Sequence, residues 1–236
     1  MTLPLTLLPK ILFVLALASC SLTIGVDNKT LANNEAPKNS SVEQKDVLPT
    51  PLRLAFMSGH VSAGIALYHA GELKMAASHL MHPVSETPAD ERIGLNDIGF
   101  NLEIFESVSA ALETQESAAI LLPLLEEAEK HLDRMREKAG GDPIKIIRFL
   151  LETSVEEYSV GVRDGKLTDV GEYQDAFGFV LVAAEHARRL PKTSRERLVA
   201  EILSLQDYWL QGPLPVETPT PAENIALTVN LILSQL

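Results

Sequence analysis

Residues 170–189 read VGEYQDAFGFVLVAAEHARR, and the spacing of their apolar positions decides the fold class. Val170, Tyr173, Phe177, Val180, Ala184 and Ala187 recur every three or four residues, which draws one continuous core stripe along a helix ending at Arg189. Asp169 and Glu172 form a capping box at its start. Upstream, Asp142-Pro143 opens a helix with an N-cap and a proline at the first position, and that helix reaches Val160. Asp164-Gly165-Lys166 is the turn between the two. Gly140-Gly141 closes an earlier helix over Ser117 to Lys138, bent or restarted at Pro123, and Asn96 to Thr114 forms the one before it. Leu52 to Ala70 and Glu72 to His82 make a first pair, separated at Gly71 and stopped at Pro83. Ser85 to Leu95, with Pro88 and Gly94, is a loop. Downstream, Ser194 to Leu210 and Pro221 to Leu236 are helical, joined by the proline-rich stretch Gly212 to Pro221. No convincing run of alternating β-branched residues interrupts this pattern. The expected fold is all-α, a helical bundle of about seven to eight helices.

The first pair of helices has a character of its own. Ala63-Gly64, Gly71-Glu72, Ala76 and Leu80 resemble one tetratricopeptide unit, in which small residues let two helices pack closely round a tight turn. No second copy follows roughly 34 residues later, so this is one tetratricopeptide-like hairpin and not a solenoid. It holds four of the six histidines: His60, His69, His79 and His82. Imidazole is a favoured ligand for Zn, Cu, Ni and Fe. Met75, His79 and His82 stand at i, i+4 and i+7 and share one face, directed away from the stripe of Leu73, Ala76, Ala77 and Leu80. His60 and His82 lie equally far from Gly71, so an antiparallel hairpin sets them at similar height. His69 falls about half a turn from His60 and is not expected in the same site. Two readings stay open: a transition-metal site (iron or copper) using His60, His79, His82 and Met75, with Glu86, Glu103 and Glu106 as further carboxylates, or a polar seam where the hairpin docks on the bundle. His60 shares a face with Phe56, Ala63 and Leu67, which fits the seam.

A second candidate runs from Glu156 to Tyr173 and gathers carboxylates and two phenols at the ends of two helices. Carboxylate with phenolate oxygen suits Fe(III), and carboxylates alone suit Ca or Mg. Tyr158, Gly161, Val162, Asp164, Gly165, Lys166, Glu172 and Tyr173, with Phe179, resemble the extracytoplasmic helical domain found in bacterial members of the high-affinity iron permease family. The resemblance spans residues 156–179. It implies a link to iron or another transition metal in the envelope, with Tyr158, Glu172 and Tyr173 as ligands. The Arg-Glu-x-x-Glu motif and the membrane helices of that family are missing, so the chain is expected to be an accessory and not a permease. Read without the resemblance, the same residues make a good turn, a helix cap and a packed junction.

The N-terminus speaks to location. Lys10, the apolar run Ile11 to Ala18 and the small pair Ala18-Ser19 read as a signal peptide over 1–19. Leu17-Ala18-Ser19-Cys20 resembles a bacterial lipobox, which implies lipidation of Cys20, the only cysteine in the chain. Residues 20–51, rich in Asn, Ser, Lys, Glu and Pro, read as a flexible tether, and 52–236 as the globular domain. Ser21 rather than aspartate after the cysteine implies, by resemblance to lipoprotein sorting, the outer membrane of a Gram-negative cell, with the body facing the periplasm. The formal charge of −12 excludes nucleic acid as a partner. The nucleophile elbow, the dinucleotide glycine motif and the phosphate loop are all absent, so no enzyme is expected. The expectation is therefore a non-catalytic, membrane-tethered lipoprotein that binds metal or assists its uptake beside an envelope metal transporter. The competing reading is a helical protein-protein interaction scaffold without metal.

Overall fold

The structure is a computed structural model and describes residues 47–87, 92 and 94–236. Cys20, the expected signal peptide and the expected tether up to residue 46 lie outside the described residues, as does part of the 85–95 loop. Eight α-helices are present among the described residues: α1 (Thr50–His69), α2 (Leu73–Ser85), α3 (Leu102–Glu113), α4 (Ala118–Ala139), α5 (Pro143–Gly161), α6 (Val170–Arg188), α7 (Lys192–Ser204) and α8 (Ala222–Leu233). Extended backbone is confined to a two-stranded antiparallel ribbon, β1 (Val162–Arg163) with β2 (Lys166–Leu167), and a short segment β3 (Leu210–Pro213). No helix among the described residues is long and apolar enough to cross a membrane.

Several helix ends differ from the sequence reading, each for a local reason. α1 begins at Thr50 because Pro51 fits the first turn, where its missing N–H loses no bond. α2 does not stop at Pro83 but continues for most of a turn, closed by Glu86 N donating to the His82 carbonyl at 2.9 Å. That continuation keeps Glu86 over His82. The helix expected from Asn96 is a 3-10 turn (Asn96–Ile98) that ends at Gly99, with φ of 98°; α3 then starts afresh, Asn101 accepting from Glu103 N at 3.0 Å. Pro123 sits within an unbroken α4. The Asp164 turn is a tight hairpin with φ of 51° at Asp164 and 69° at Gly165, the positive pair that a type I′ turn requires. Asp169 caps α6, accepting from Gly171 N and Glu172 N, but Glu172 does not complete the box. Its carboxyl is engaged with Glu157 instead.

Two apolar clusters fill the molecule. One gathers residues of α5 to α8 around Tyr158, Tyr173, Phe179 and Trp209, and the other residues of α1 to α4 around Leu67, Leu80, Phe105 and Leu112. α1 and α6 form the seam between them. Glycines permit their close approach: a Cβ on Gly178 would strike the Gly59 carbonyl, and one on Gly59 would strike the Phe179 ring. α6 is buried on nearly every side, from Tyr173 through Val180 without a break. A helix in that position must turn its polar residues inward as well as its apolar ones.

Candidate metal centre

At the seam, α1 contributes His60, α2 contributes Met75, His79 and His82, and α6 contributes Gln174 and Asp175. The α1–α6 glycine contact brings the His60 ring over Phe179, at 5.3 Å edge to face, while Phe56 meets it from the other side at 4.6 Å. Asp175, one turn ahead of Phe179, is thereby set against the imidazoles. His60 Nδ1 is 2.6 Å and His79 Nδ1 2.8 Å from Asp175 Oδ1; His82 Nδ1 is 3.7 Å from Oδ2. His60 and His82 stand Nδ1 to Nδ1 at 2.9 Å. One ligand atom from each of these four residues lies within 4.8 Å of the others. His60, His79 and Asp175 are 2–3 % exposed, so the cluster is closed to bulk water on most sides.

The hydrogen-bond chemistry of the cluster is short of protons. Gln174 Nε2 donates to Met75 Sδ at 3.1 Å, which turns its carbonyl oxygen to His79 Nε2 at 2.9 Å. His79 must therefore carry its proton on Nε2. In the neutral ring Nδ1 is then a bare lone pair, 2.8 Å from a carboxylate oxygen. The 2.9 Å pair of Nδ1 atoms on His60 and His82 likewise has room for one proton, and the other nitrogen must accept. Lone pairs brought this close need a positive charge among them.

Protons can supply that charge in part. Burial would lower the His60 pKa, but the Asp175 and Glu86 carboxylates override it and hold it at about 10. Burial would raise Asp175; the His60 and His79 imidazoles hold it far below the usual carboxylate range. His82 is pushed down to about 4 by burial and then by the His60 charge. Glu86 completes the ring. Its Oε2 lies 3.2 Å from His60 Nε2, an ion-pair distance with an angle outside hydrogen-bond geometry, and its Oε1 is 3.5 Å from His82 Nδ1. Despite burial, the charges of these histidines keep Glu86 below its ordinary pKa.

The other candidates fall elsewhere. Met75 stands one step behind the cluster, holding Gln174. His69 is exposed, and Glu103 and Glu106 are exposed on α3. The Tyr158 hydroxyl donates to the Thr220 carbonyl at 2.8 Å, and the Tyr173 hydroxyl is buried without a partner. Both rings pack with Trp209, and neither makes a hydrogen bond or ring contact to the histidines. Burial pushes both phenols up, Tyr173 to about 12. The structure places both phenols in the aromatic core with Trp209 and does not bring them together with the histidines. Glu172 is half-buried, shares a hydrogen bond with Glu157 of α5, and feels the charges of Asp175 and Glu86, but it is not among the converging ligand atoms.

Sequence reasoning missed Asp175 and Gln174. The available signal was an adjacent amide and carboxylate within an otherwise apolar stretch of α6. A single core stripe reads them as solvent-facing; only all-round burial makes them internal.

The fold and site define a class: an all-α bundle with a buried three-histidine, one-aspartate cluster at a seam between two helical layers. Residues 137–236 of the chain match the family model of the iron permease-associated 4-helix bundle domain, so this part, which contains α5 to α8, is similar to that domain. The matched range takes in Asp175, Glu157 and Glu172, while His60, His79, His82 and Glu86 come from outside it. No curated protein and no solved structure matches the chain.

Proposed function

We propose that the protein captures a divalent first-row transition metal, iron foremost, on His60, His79, His82 and Asp175, and presents it to a membrane metal transporter. The observation that carries this reading is the convergence of three Nδ1 atoms on one buried carboxylate at 2.6–3.7 Å. Metal–nitrogen bonds of 2.0–2.1 Å in a tetrahedral site set neighbouring ligands about 3.4 Å apart. The cluster brackets that spacing, and a dication supplies the positive charge that the opposed lone pairs need. Gln174 behind His79 and Glu86 behind His60 are the kind of outer partners that fix the ring orientation of ligating histidines. Three imidazoles with carboxylate suit Fe, Zn, Cu or Ni. Similarity of residues 137–236 to an iron permease-associated domain favours iron as cargo and a permease as recipient.

The role is non-catalytic: the metal is cargo, and the protein supplies ligands and release. Lipidation of Cys20 would hold the helical body at the envelope on the tether of residues 20–51, facing the periplasm, with the outer membrane the expected home in a Gram-negative cell. The scaffold alternative would use the grooves of the α1–α2 hairpin. α3, α4 and α6 pack on that hairpin, which leaves metal capture the better-supported reading.

The test is an anaerobic titration of the full-length protein with Fe(II), Zn(II), Cu(II) and Mn(II), beside His79→Ala/His82→Ala. Tight stoichiometric binding that the double variant loses is the expected result. Failure of all four metals to bind between pH 6 and 8 would remove the proposal.

A further inference from the structure

We propose that a second site, a cleft between α1, α4 and α6, binds a small zwitterion of the amino-acid class, its carboxylate on Arg136 and Arg189 and its ammonium on Glu129 and Glu185. The site shares two helices with the histidine cluster but uses none of its residues, and it stands whether or not a metal binds there.

The cleft encloses about 270 Å³. Its floor includes Ser62 of α1, which lies on the side of that helix away from His60. The Ser62 hydroxyl makes no hydrogen bond among the described residues. One wall is α4, where Glu129, Asp133 and Arg136 fall at i, i+4 and i+7 on a single face. The other is α6, with Glu185, Arg188 and Arg189. Beyond Ser62, Glu129 and Glu185 the cleft continues into a second hollow, which Arg136 and Arg189 do not line.

Charges in this cleft stay unpaired where their spacing invites pairing. Glu185 precedes Arg188 and Arg189 by three and four residues, the separations at which ion pairs form along a helix. Yet Glu129, Glu185, Arg188 and Arg189 make no ion pair among the described residues; the pair present is Asp133 with Arg136. Arg136 is only 7 % exposed, and with Asp133 on its Nη2 its buried Nε still has no partner. Unpaired charge in the walls of a cavity is costly, and a ligand of matching polarity removes that cost. The two signs are also set apart. Near Arg136 and Arg189 the field is positive: His186 is pushed down to about 4 by burial and then by those two guanidiniums. At Glu129 it is negative, since burial and then Glu185 and Asp133 push that carboxyl up.

Three properties select the ligand. Arg136, Arg188 and Arg189 balance Glu129, Asp133 and Glu185, so the cleft has no formal net charge. A simple anion would face two free carboxylates there, and a simple cation two free guanidiniums; a zwitterion satisfies both. The cationic side chains of the cleft are all arginine, whose planar fork matches a carboxylate. The volume equals roughly nine waters by their share of the liquid, which suits a molecule of amino-acid size.

Isothermal titration calorimetry of the full-length protein against the common L-amino acids tests the proposal, with chelator present so that no metal complex contributes. N-acetyl-L-alanine, L-alaninamide and inorganic phosphate serve as probes of one charge sign. The expected result is saturable binding of at least one amino acid, one per chain, with each single-sign probe weaker by roughly tenfold or more. Arg189→Gln and Glu185→Gln should each weaken the amino acid by a similar factor, and His79→Ala/His82→Ala should bind it like wild type. No saturable binding of any amino acid overturns the proposal. A single-sign probe that binds as tightly as the best amino acid overturns the zwitterion assignment. Affinity that survives both cleft substitutions, or is lost in the histidine variant, overturns the placement. The wild-type panel decides the question even where a variant folds poorly.

Discussion

Replacing Asp175 by asparagine removes one negative charge from the centre with almost no change in shape. In the metal-free protein the loss falls on His60, whose pKa of about 10 depends on that carboxylate. At pH 7 folded His60 sits three pH units below its pKa, whereas an unfolded histidine near 6.5 is about three-quarters deprotonated. At 1.36 kcal/mol per pH unit the difference is on the order of 4 kcal/mol, in line with the 3–5 kcal/mol typical of breaking a buried charge pair. Without Asp175 only Glu86 opposes burial, the His60 pKa falls, and the expected loss of stability is about 3 kcal/mol. The sign is set by linkage. A raised histidine pKa stabilises fully below the unfolded value of 6.5, and that stability is lost as pH rises through about 10. Wild type should therefore lose its advantage over Asp175→Asn between pH 7 and 10. Urea unfolding with chelator present, at pH 6, 8 and 10, measures this directly. The same substitution should weaken metal binding by at least ~100-fold, since it removes a ligand and not an outer partner. A variant within 1 kcal/mol of wild type at pH 6, with unchanged metal affinity, would refute the assignment of Asp175 as the hub.

Other substitutions separate the layers of the site. Gln174→Leu frees His79 to protonate on Nδ1 and should cost roughly 10–100-fold in metal affinity, read by competition with a chromogenic chelator, with little change in fold. Tyr173→Phe removes a buried hydroxyl that has no partner; stability should hold or rise by about 1 kcal/mol in thermal unfolding, and metal binding should not move. Weakened binding in that variant would return the phenol to the ligand set. Gly178→Ala forces α1 and α6 apart at the Gly59 carbonyl, so a loss of about 1–3 kcal/mol and weaker metal binding should appear together. Metal affinity of the wild type should rise by up to tenfold per pH unit between pH 6 and 8, because the ion displaces a proton held by the cluster.

Much of this architecture was legible before the fold was known, because helices announce themselves through periodicity and caps. The starts of α5 and α6 followed from Asp142-Pro143 and Asp169, whose carboxylates do cap the first turns. The errors came where two local rules competed. Pro83 breaks one hydrogen bond, yet α2 continues because the next turn is held by packing and by Glu86 near His82. Glu172 suits a capping box, yet a neighbouring helix offers Glu157. The histidine face of α2 and the equal distances of His60 and His82 from Gly71 set three imidazoles at one height. What the sequence could not reveal was the partner helix, since Asp175 is 115 positions from His60 and the contact arises only from the α1–α6 packing.

The centre is divided between two parts of one chain. The part similar to the iron permease-associated domain brings Asp175, and the preceding helices bring the three imidazoles. Carboxylates alone form a hard, exchangeable site, whereas histidines add affinity for transition metals over the calcium and magnesium that outnumber them. On the capture reading, joining the two parts around one ion would also make binding energy into stability, because the ion would bridge α1 and α2 to α6 and have no site in the unfolded chain. A small opening of the hairpin away from α6 would remove three imidazoles at once and leave the ion on Asp175 alone. Release to a recipient then requires motion of one seam and not the dismantling of a rigid cage. That division of ligands would suit the proposed capture role: strong enough to take a scarce metal, and separable enough to give it up.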